Sequence, residues 1–292
     1  MISVAICTFN RAASLARTLD SLSHQRNVEG LIWELLLIDN NSIDSTRQVA
    51  DSFHDRLPLH YLFEPVQGLS AARNRALQEF KGDLLVFTDD DVVLDSNWLC
   101  EYAAAELGFA ETSYLGGRIL PMWHGDKPRW LKDPGLALIS GVLGHFDLGE
   151  DNRLFAGGDP TPFGASFAVR RKLAESIGLF STTLGVGGSN TARGEETEYL
   201  QRAKAIGGSG VYVGKAVCYH VQDPMRFKFR YLYHYGIATG KTEILLGRST
   251  EGSLFAEFSF FIKGFWQLCK GRGDRFRQCV INAGIQKGLR IG

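Results

Sequence analysis

Short apolar runs that end in polar side chains recur along the first part of this chain. The runs are Ile2 to Cys7, Trp33 to Ile38, Leu59 to Phe63 and Leu84 to Phe87. Apolar runs of this length predict strands that are buried on both faces of a parallel sheet. Segments with helical spacing separate them, for example Leu15, Leu19 and Leu22. This alternation predicts an α/β fold with a doubly wound, mostly parallel sheet.

Local patterns add detail to this prediction. Ser42 or Asp44 precedes the second predicted helix, and Ser70 stands at the start of the third, so these residues are candidate helix caps. In the second half, Val211 to Val213 and Ala216 to Tyr219 predict two separate short strands.

The fourth apolar run stops in three adjacent carboxylates, Asp89, Asp90 and Asp91. In open α/β sheets, ligands bind at the carboxyl ends of the strands. Three neighbouring carboxylates repel one another unless a cation neutralises them, and hard ions such as Mg²⁺ or Mn²⁺ choose oxygen ligands. The triplet therefore indicates a metal that holds a phosphate-bearing substrate. The alternative is an acidic, solvated turn after a strand.

The predicted sheet gathers further polar residues at the same rim, namely Thr8, Asn10, Asp39 and Arg73. Asp39 is placed to accept hydrogen bonds from a nucleobase or ribose, and Arg73 can offset phosphate charge with paired donors. Alternatively, Asp39 serves only the local turn, and Arg73 lies on a solvated helix face. Together the residues favour a Rossmann-like nucleotide-binding half. Neither GxGxxG nor GxxxxGK[ST] is present, which argues against dinucleotide and P-loop sites.

Composition and charge narrow the class of protein. The 32 Lys and Arg balance the 32 Asp and Glu, but residues 225–292 contain twelve basic and four acidic side chains, a surplus of eight. The five cysteines form no CxxC pair, which indicates reduced thiols and a cytoplasmic protein. We expect no signal peptide, because a strand-like run follows Met1 directly, and no membrane-spanning helix, because no apolar run approaches ~18 residues.

Four segments resemble, in order, the motifs of family 2 glycosyltransferases, which have the GT-A fold. The segments are Ser3 to Arg11, Glu34 to Asn41, Gly68 to Ala76 and Phe87 to Asp91. The resemblance covers roughly residues 1–220. It implies that Asp39 contacts the base, Asp89 the ribose side, and Asp91 the metal, Mn²⁺ or Mg²⁺. We expect Thr8, Asn10, Arg11, Arg73 and Asp90 to complete the nucleotide-binding site.

The same resemblance extends to two later positions. The family has a Glu-Asp pair where this chain has Glu195 and Glu196, and the second acid of that pair is the base that deprotonates the acceptor hydroxyl. The resemblance thus implies Glu196 as the base, with Glu195 and Glu198 as the alternatives. Acidic residues in a first helical turn also complement the helix dipole without any catalysis. His220 is a metal ligand by resemblance, or a structural histidine at a strand end.

Two further segments lie near the donor sugar by resemblance. Phe163 to Arg171 is similar to the family's strand beside that sugar, with Ser166 at a position where Asn is common. Thr182 to Arg193 is rich in Gly, Ser, Thr and Asn, which predicts a mobile loop. Closure of such a loop over the bound donor would exclude water.

The chain from Met225 onward predicts basic amphipathic helices, with Phe255, Phe258, Ile262 and Phe265 at helical spacing. Such helices could lie on an anionic membrane surface near a lipid-linked acceptor, or form a lid on the sheet with a solvated basic face. Nucleic-acid binding has no supporting motif beyond charge. We therefore expect a domain over 1–224, with halves 1–110 and 111–224, and a helical C-terminal region over 225–292.

These features predict an inverting glycosyltransferase that moves a sugar from a nucleotide-diphosphate sugar, a UDP-sugar, to a hydroxyl of a glycan or lipid-linked acceptor. We expect it in cell-surface polysaccharide or glycolipid synthesis, in the cytoplasm and peripheral on the inner face of the cell membrane. A nucleotidyltransferase, or a non-catalytic sugar-nucleotide-binding or membrane-scaffolding protein, is the alternative.

Overall fold

The computed structural model describes residues 1–131, 137–187, 192–249 and 251–291. Its strands are β1 (Ile2–Thr8), β2 (Trp33–Asp39), β3 (Leu59–Phe63), β4 (Leu84–Asp89), β5 (Val92–Leu94), β6 (Tyr114–Met122), β7 (Arg153–Leu154), β8 (Ser166–Arg170) and β9 (Gly210–Val221). Its helices are α1 (Ala12–Ser23), α2 (Thr46–Asp51), α3 (Leu69–Glu79), α4 (Trp98–Gly108), α5 (Ala137–Leu143), α6 (Arg171–Ile177), α7 (Glu195–Ala205), α8 (Phe229–Leu245), α9 (Leu254–Cys269) and α10 (Gly273–Ile291). All four predicted N-terminal strands are present.

The strands form one sheet in the order β3-β2-β1-β4-β8-β6-β9-β5, and β7 pairs with β9. The first four of these are parallel, whereas β8 pairs antiparallel with both β4 and β6, and β5 antiparallel with β9. In the parallel register Thr8 lies opposite Asp39, and Cys7 lies opposite Asp89. The polar residues that end β1, β2 and β4 therefore meet at one edge, as the sequence predicts.

The side chains of β1 alternate between the two faces of the sheet, as a strand requires. Ile2, Val4 and Ile6 pack in a core with α1, α2 and α4 on one face. Ala5 packs in a second core with α3, α6 and α7 on the other. Both faces are thus covered by helices, which explains why the central strands are apolar at most positions on both faces.

Two predicted helix starts differ from the structure. α3 begins at Leu69, and its N-cap is Gly68, whose φ of +139° suits only glycine. The prediction of Ser70 as a cap is therefore wrong. Ser70 is buried, and its hydroxyl donates a 2.6 Å hydrogen bond to the carbonyl of Leu184. Its partner lies more than a hundred residues away in sequence, so no local pattern could reveal it.

The second helix and the last strand differ as well. α2 begins at Thr46 with Ser45 as its N-cap, so neither Ser42 nor Asp44 is the capping residue. Asp44 nevertheless accepts a 3.0 Å hydrogen bond from the Thr46 amide. The two short strands predicted after residue 210 are one continuous strand, β9, which runs through Gly214.

Residue contacts divide the chain into two compact units. The first comprises Met1–Leu120, Phe146–Ser189 and Glu195–His220, and the second comprises Pro121–His145, Asn190–Gly194 and Val221–Gly292. The second unit therefore contains the predicted C-terminal region together with two segments from the middle of the chain. Its core is formed by residues of α5, α8 and α10, including Leu143, Leu232 and Ile281.

Within the second unit, α8 and α10 approach each other through glycines. Gly236 and Gly240 on α8 face Gly284 and Gly288 on α10, at a spacing of four residues on each helix. A Cβ atom on any of them would overlap a backbone carbonyl of the opposite helix. These glycines therefore set the close packing of the two helices.

Candidate active site

The acidic triplet lies where β4 ends, and a neighbouring strand pair brings a histidine to it. β5 starts directly after the triplet at Val92, which lies opposite His220 in the antiparallel pair with β9. This register places His220 Nε2 3.4 Å from Asp91 Oδ1. Ligand atoms of Asp89, Asp91 and His220 all lie within 4.8 Å of one another.

This cluster has the chemistry of a divalent-metal site. Burial, and next the charge of Asp91, raise the pKa of Asp89 to about 7. A nearby cation would stabilise the charged form of such a carboxyl group. Two carboxylates and one imidazole, each offering a ligand atom to the same small volume, therefore fit a divalent ion. Asp89, expected at the ribose, lies here beside the two residues expected at the metal.

The middle acid of the triplet has different neighbours. Asp90 is buried, accepts a 2.7 Å hydrogen bond from the Thr8 hydroxyl, and accepts a second at 3.1 Å from Arg11. Burial raises the pKa of Asp90 to about 6. Arg11 also donates to Asp91 at 2.8 Å, while its side chain stays 47% exposed. Thr8 and Asp90 thus join β1 to the triplet, and Arg11 remains open to an incoming anion.

Asp39 ends β2 and is buried in a small hydrogen-bonded network. Its carboxylate accepts bonds from the Ser42 amide at 2.9 Å and from the Tyr61 hydroxyl at 2.6 Å. The guanidinium of Arg47 lies 4.3 Å from the centre of the Tyr61 ring. Carboxylate oxygens accept more than one bond each, so Asp39 retains acceptor capacity for a ligand. The sequence did not identify Tyr61, because aromatic residues are common in β-strands and one in β3 gives no sign of a functional role.

Two asparagines shape the loops around this network. Asn10, with φ of +52°, donates its amide to the Ser42 hydroxyl and accepts from the amide of Ile43, so it joins the loops after β1 and β2. Asn40 is buried and accepts a 2.7 Å bond from the amide of Gly68. The sequence did not single out Asn40, because its partner is a backbone group.

Arg73 lies inside the first unit rather than on a solvated helix face. Its side chain is only 3% exposed, and its Nη1 lies 2.5 Å from Glu195 Oε1. Its Nη1 also lies 3.9 Å from Glu196 Oε2, and its Nη2 lies 4.0 Å from Asp89 Oδ1. The guanidinium also lies 5.6 to 5.9 Å from three aromatic ring centres, those of Phe87, Phe167 and Phe180. Arg73 therefore connects the start of α7 to the cluster of Asp89, Asp91 and His220.

A glycine makes room for this arginine. A Cβ atom on Gly164 would overlap the Arg73 guanidinium. The sequence placed Gly164 in a segment beside the donor sugar but gave no reason for a glycine there. The structure supplies that reason.

The three glutamates at the start of α7 have different surroundings. Glu195 pairs with Arg73, and Glu198 pairs with Arg202 at 2.7 Å. Oε2 of Glu196 is buried and has no hydrogen-bond partner among the described residues. Burial, and next the charge of Glu195, raise the pKa of Glu196 to about 8. Glu196 thus combines a raised pKa with a buried oxygen that has no hydrogen-bond partner among the described residues.

Two predictions about the donor side have different outcomes. Ser166 is fully buried, and its hydroxyl bonds to Trp98 Nε1 at 3.1 Å and to the Tyr102 hydroxyl at 2.9 Å, so it serves the core. The predicted loop from Thr182 to Arg193 lies partly outside the described residues. Its first part contacts α3, because Val186 accepts a hydrogen bond from the Leu69 amide.

Among the residues that the structure describes, no helix is both long enough and apolar enough to cross a membrane.

Comparison with known proteins gives this arrangement a context. The family model for Glycosyl transferase family 2 matches residues 3–178. The succinoglycan biosynthesis protein ExoM of Rhizobium meliloti is 25% identical over 99% of this chain and 92% of its own length. The validoxylamine A glucosyltransferase of Streptomyces hygroscopicus is 35% identical, but over 40% of this chain and 28% of that protein.

Solved structures show the same fold. The mannosyltransferase PcManGT from Pyrobaculum calidifontis, in complex with GDP-Man and Mn²⁺, matches 99% of this chain and 86% of its own with a TM-score of 0.66 and 17% identity. The S. aureus TarS fragment 1-349 in complex with UDP-GlcNAc matches 99% of this chain and 89% of its own, with a TM-score of 0.54 and 17% identity. These similarities confirm the predicted GT-A fold and the predicted class of enzyme. The chain belongs to Glycosyl transferase family 2 and is a glycosyltransferase.

Proposed function

We propose that this enzyme is a metal-dependent, inverting glycosyltransferase that moves a sugar from a nucleotide-diphosphate sugar to an acceptor hydroxyl. The observation that carries the proposal is one continuous chain of charges within the first unit. It runs from the Asp89, Asp91 and His220 cluster through Arg73 to Glu195 and Glu196. A metal site and a base of suitable pKa are thereby linked by one side chain.

The nucleotide end of the donor is assigned to the edge formed by β1, β2 and β4. Asp39 would accept hydrogen bonds from the base, and Asn10 would hold the two loops around it. Arg11, the exposed cation beside the triplet, would meet the diphosphate. Thr8 and Asp90 would act indirectly by fixing the strand ends. Because UDP and UDP-GlcNAc complexes occur among the structural neighbours, we propose a UDP-sugar as donor.

Asp89, Asp91 and His220 would hold a divalent cation, which supplies positive charge to the diphosphate as it departs. We propose Mn²⁺ over Mg²⁺, because Mg²⁺ selects oxygen ligands and the site includes an imidazole nitrogen. The neighbour PcManGT was solved with Mn²⁺.

Glu196 would remove the proton of the acceptor hydroxyl as that oxygen attacks the anomeric carbon. A buried carboxylate with no hydrogen-bond partner at Oε2 can accept a proton, and a pKa of about 8 makes it a stronger base than an ordinary glutamate. Attack by the acceptor itself, without a covalent enzyme intermediate, is a single displacement and inverts the anomeric centre. Arg73 and Glu195 would be positioning residues, which hold the start of α7 relative to the metal cluster.

For the acceptor we propose a hydroxyl on a glycan or a lipid-linked glycan. The support is similarity over nearly the whole chain to a protein named for succinoglycan biosynthesis. The enzyme would work in the cytoplasm, peripheral on the inner face of the cell membrane, with contact through its C-terminal helices.

A donor screen tests the reaction. UDP- and GDP-sugars are incubated with the full-length enzyme, with and without Mn²⁺, and the released nucleotide is identified. We expect nucleoside diphosphate from one donor, dependent on the metal. Release of pyrophosphate instead would identify a nucleotidyltransferase and refute the proposal, as would binding of a donor without release of any product.

Three variants separate the proposed roles. Asp91→Asn should abolish metal-dependent turnover, whereas Glu196→Gln should bind donor normally and lose transfer. Glu198→Gln is the matched control, because it removes a charge from the same helical turn at a glutamate already paired with Arg202. Normal transfer by Glu196→Gln would disprove the assignment of the base.

A further inference from the structure

The helix α9 exposes an unusual amount of apolar surface. Phe255 is 83% exposed, and Phe258, Phe265 and Trp266 are each more than 60% exposed. We define the aromatic face of α9 as Phe255, Phe258, Ile262, Phe265, Trp266 and Leu268. Contiguous exposed apolar patches of this kind mark sites of protein or membrane interaction.

These side chains lie on one side of the helix. At ~100° of rotation per residue they fall within an arc of roughly 160°. The adjoining side of α9, where Glu257 and Gly264 lie, is fixed within the second unit. Glu257 accepts hydrogen bonds from Tyr233 at 2.5 Å and from Arg290 at 2.7 Å, and a Cβ on Gly264 would lie 3.2 Å from Cys279. The helix therefore cannot turn its aromatic face inward without breaking a partly buried charge pair.

The charges around this face indicate its partner. Lys263 and Lys270 are exposed beside the arc, and Arg272 follows them. The single acid of α9, Glu257, is buried at the end of the arc away from these lysines and is paired with Arg290. A two-fold contact between copies of this chain through α9 would bring the lysines of one copy towards those of the other. An apolar face flanked by cations, with a Trp at its border, is complementary to an anionic bilayer surface.

We propose that the aromatic face of α9 inserts into the headgroup region of an anionic lipid bilayer, with α9 parallel to the membrane plane and Lys263 and Lys270 at the lipid phosphates. The proposal rests on the peripheral location given to the enzyme above and assigns that contact to one helix. It concerns residues outside the catalytic cluster, so it stands or falls separately from the transfer reaction.

Vesicle co-sedimentation of the full-length protein tests this assignment. The vesicles contain phosphatidylcholine alone or phosphatidylcholine with phosphatidylglycerol. We expect binding to the anionic vesicles, and a loss of at least about tenfold in partitioning for the double variant Phe258→Ser/Phe265→Ser. Leu107→Ser is the matched control, since Leu107 is 81% exposed on α4 in the first unit, and it should bind as the unchanged protein does.

Two further measurements identify the partner and the depth of contact. Lys263→Gln/Lys270→Gln should weaken binding to anionic vesicles at low salt. In a high-salt buffer this variant and the unchanged protein should bind equally, because salt screens the attraction between lysines and lipid phosphates. Trp266 emission should shift to the blue on binding, and the shift should disappear in Trp266→Phe. Equal partitioning of the Phe258→Ser/Phe265→Ser variant and the unchanged protein, or no vesicle binding by the unchanged protein, would overturn the proposal.

A second copy of this chain is the competing partner for the aromatic face of α9. If sedimentation shows oligomers that Phe258→Ser/Phe265→Ser abolishes, the occupant of the face is a second copy, and the membrane assignment is refuted. Nucleotide release by this variant in solution should equal that of the unchanged enzyme. Vesicle binding without any nucleotide release by either protein would refute the transfer reaction and leave the membrane contact intact.

Discussion

Arg73 offers the sharpest test of how the site is held together. Its guanidinium lies within 4.0 Å of three carboxylates, those of Glu195, Glu196 and Asp89, and both members of its closest pair are almost fully buried. Arg73→Met removes the charge and keeps much of the aliphatic volume between the aromatic rings. The variant therefore leaves Glu195 buried without a partner.

The size of the effect follows from distance and burial. At an effective dielectric constant of about 20, two unit charges about 4 Å apart interact by about 4 kcal/mol. Removing one partner of a buried ion pair costs about 3–5 kcal/mol in measured cases, whereas replacing both partners is often nearly neutral. We expect Arg73→Met to lower the free energy of unfolding by about 3 kcal/mol, and Arg73→Met/Glu195→Gln to recover most of that loss.

Urea denaturation of the two single variants and the double variant measures the coupling between the two residues. Arg75→Met is the control, because Arg75 lies on the same helix in a partly exposed pair with Glu79, and such pairs are worth about 0.5 kcal/mol or less. A loss below about 1 kcal/mol in Arg73→Met, or a double variant no more stable than this single variant, would refute the reasoning.

Three other predictions concern the base, the metal and the second unit. Because the carboxyl of Glu196 has a pKa of about 8 and must be ionised to act as a base, kcat/KM should rise with pH up to about 8 and then level off, and a pH-independent rate across this range would contradict the assignment. Asp91→Asn should weaken Mn²⁺ binding at least about tenfold by calorimetry, and unchanged affinity would exclude Asp91 as a ligand. Gly284→Ala should lower the free energy of unfolding by at least about 1–3 kcal/mol in urea denaturation, because its Cβ overlaps the carbonyl of Tyr233, whereas Gly108→Ala, with open space around it, should be neutral or slightly stabilising.

Much of the fold followed from local patterns. Four apolar runs between amphipathic segments predicted the parallel strands, and the rule for strand ends predicted that Asp39 and the acidic triplet would share an edge. These features depend on residues that are close in sequence or on a topology that local elements determine. The family resemblance then supplied proposed roles that local patterns could not, such as Glu196 as a base.

The interior of the site could not be predicted in this way. The sequence placed Arg73 at the rim of the nucleotide-binding site, but its burial depends on Gly164 and on Glu195, which come from segments far away in sequence. The same holds for Ser70, whose hydroxyl bonds to Leu184. Contacts between distant segments arise from packing, so a pattern within one segment carries no information about them.

The division of the acidic triplet shows how the fold distinguishes between adjacent aspartates as candidate metal ligands. Asp89 ends β4, and Asp90 and Asp91 form the turn that leads into β5. Ligand atoms of Asp89 and Asp91 lie in the same small volume as His220, whereas Asp90 accepts a hydrogen bond from the Thr8 hydroxyl, which commits Asp90 to the protein. β5 then begins at once and pairs with β9, and this pairing brings His220 to Asp91. A single inserted residue between Asp91 and Val92 would shift that register and should separate the histidine from both carboxylates. We therefore expect such an insertion to abolish Mn²⁺ binding even though all three side chains remain, whereas retained affinity would show that the strand pairing does not build the site.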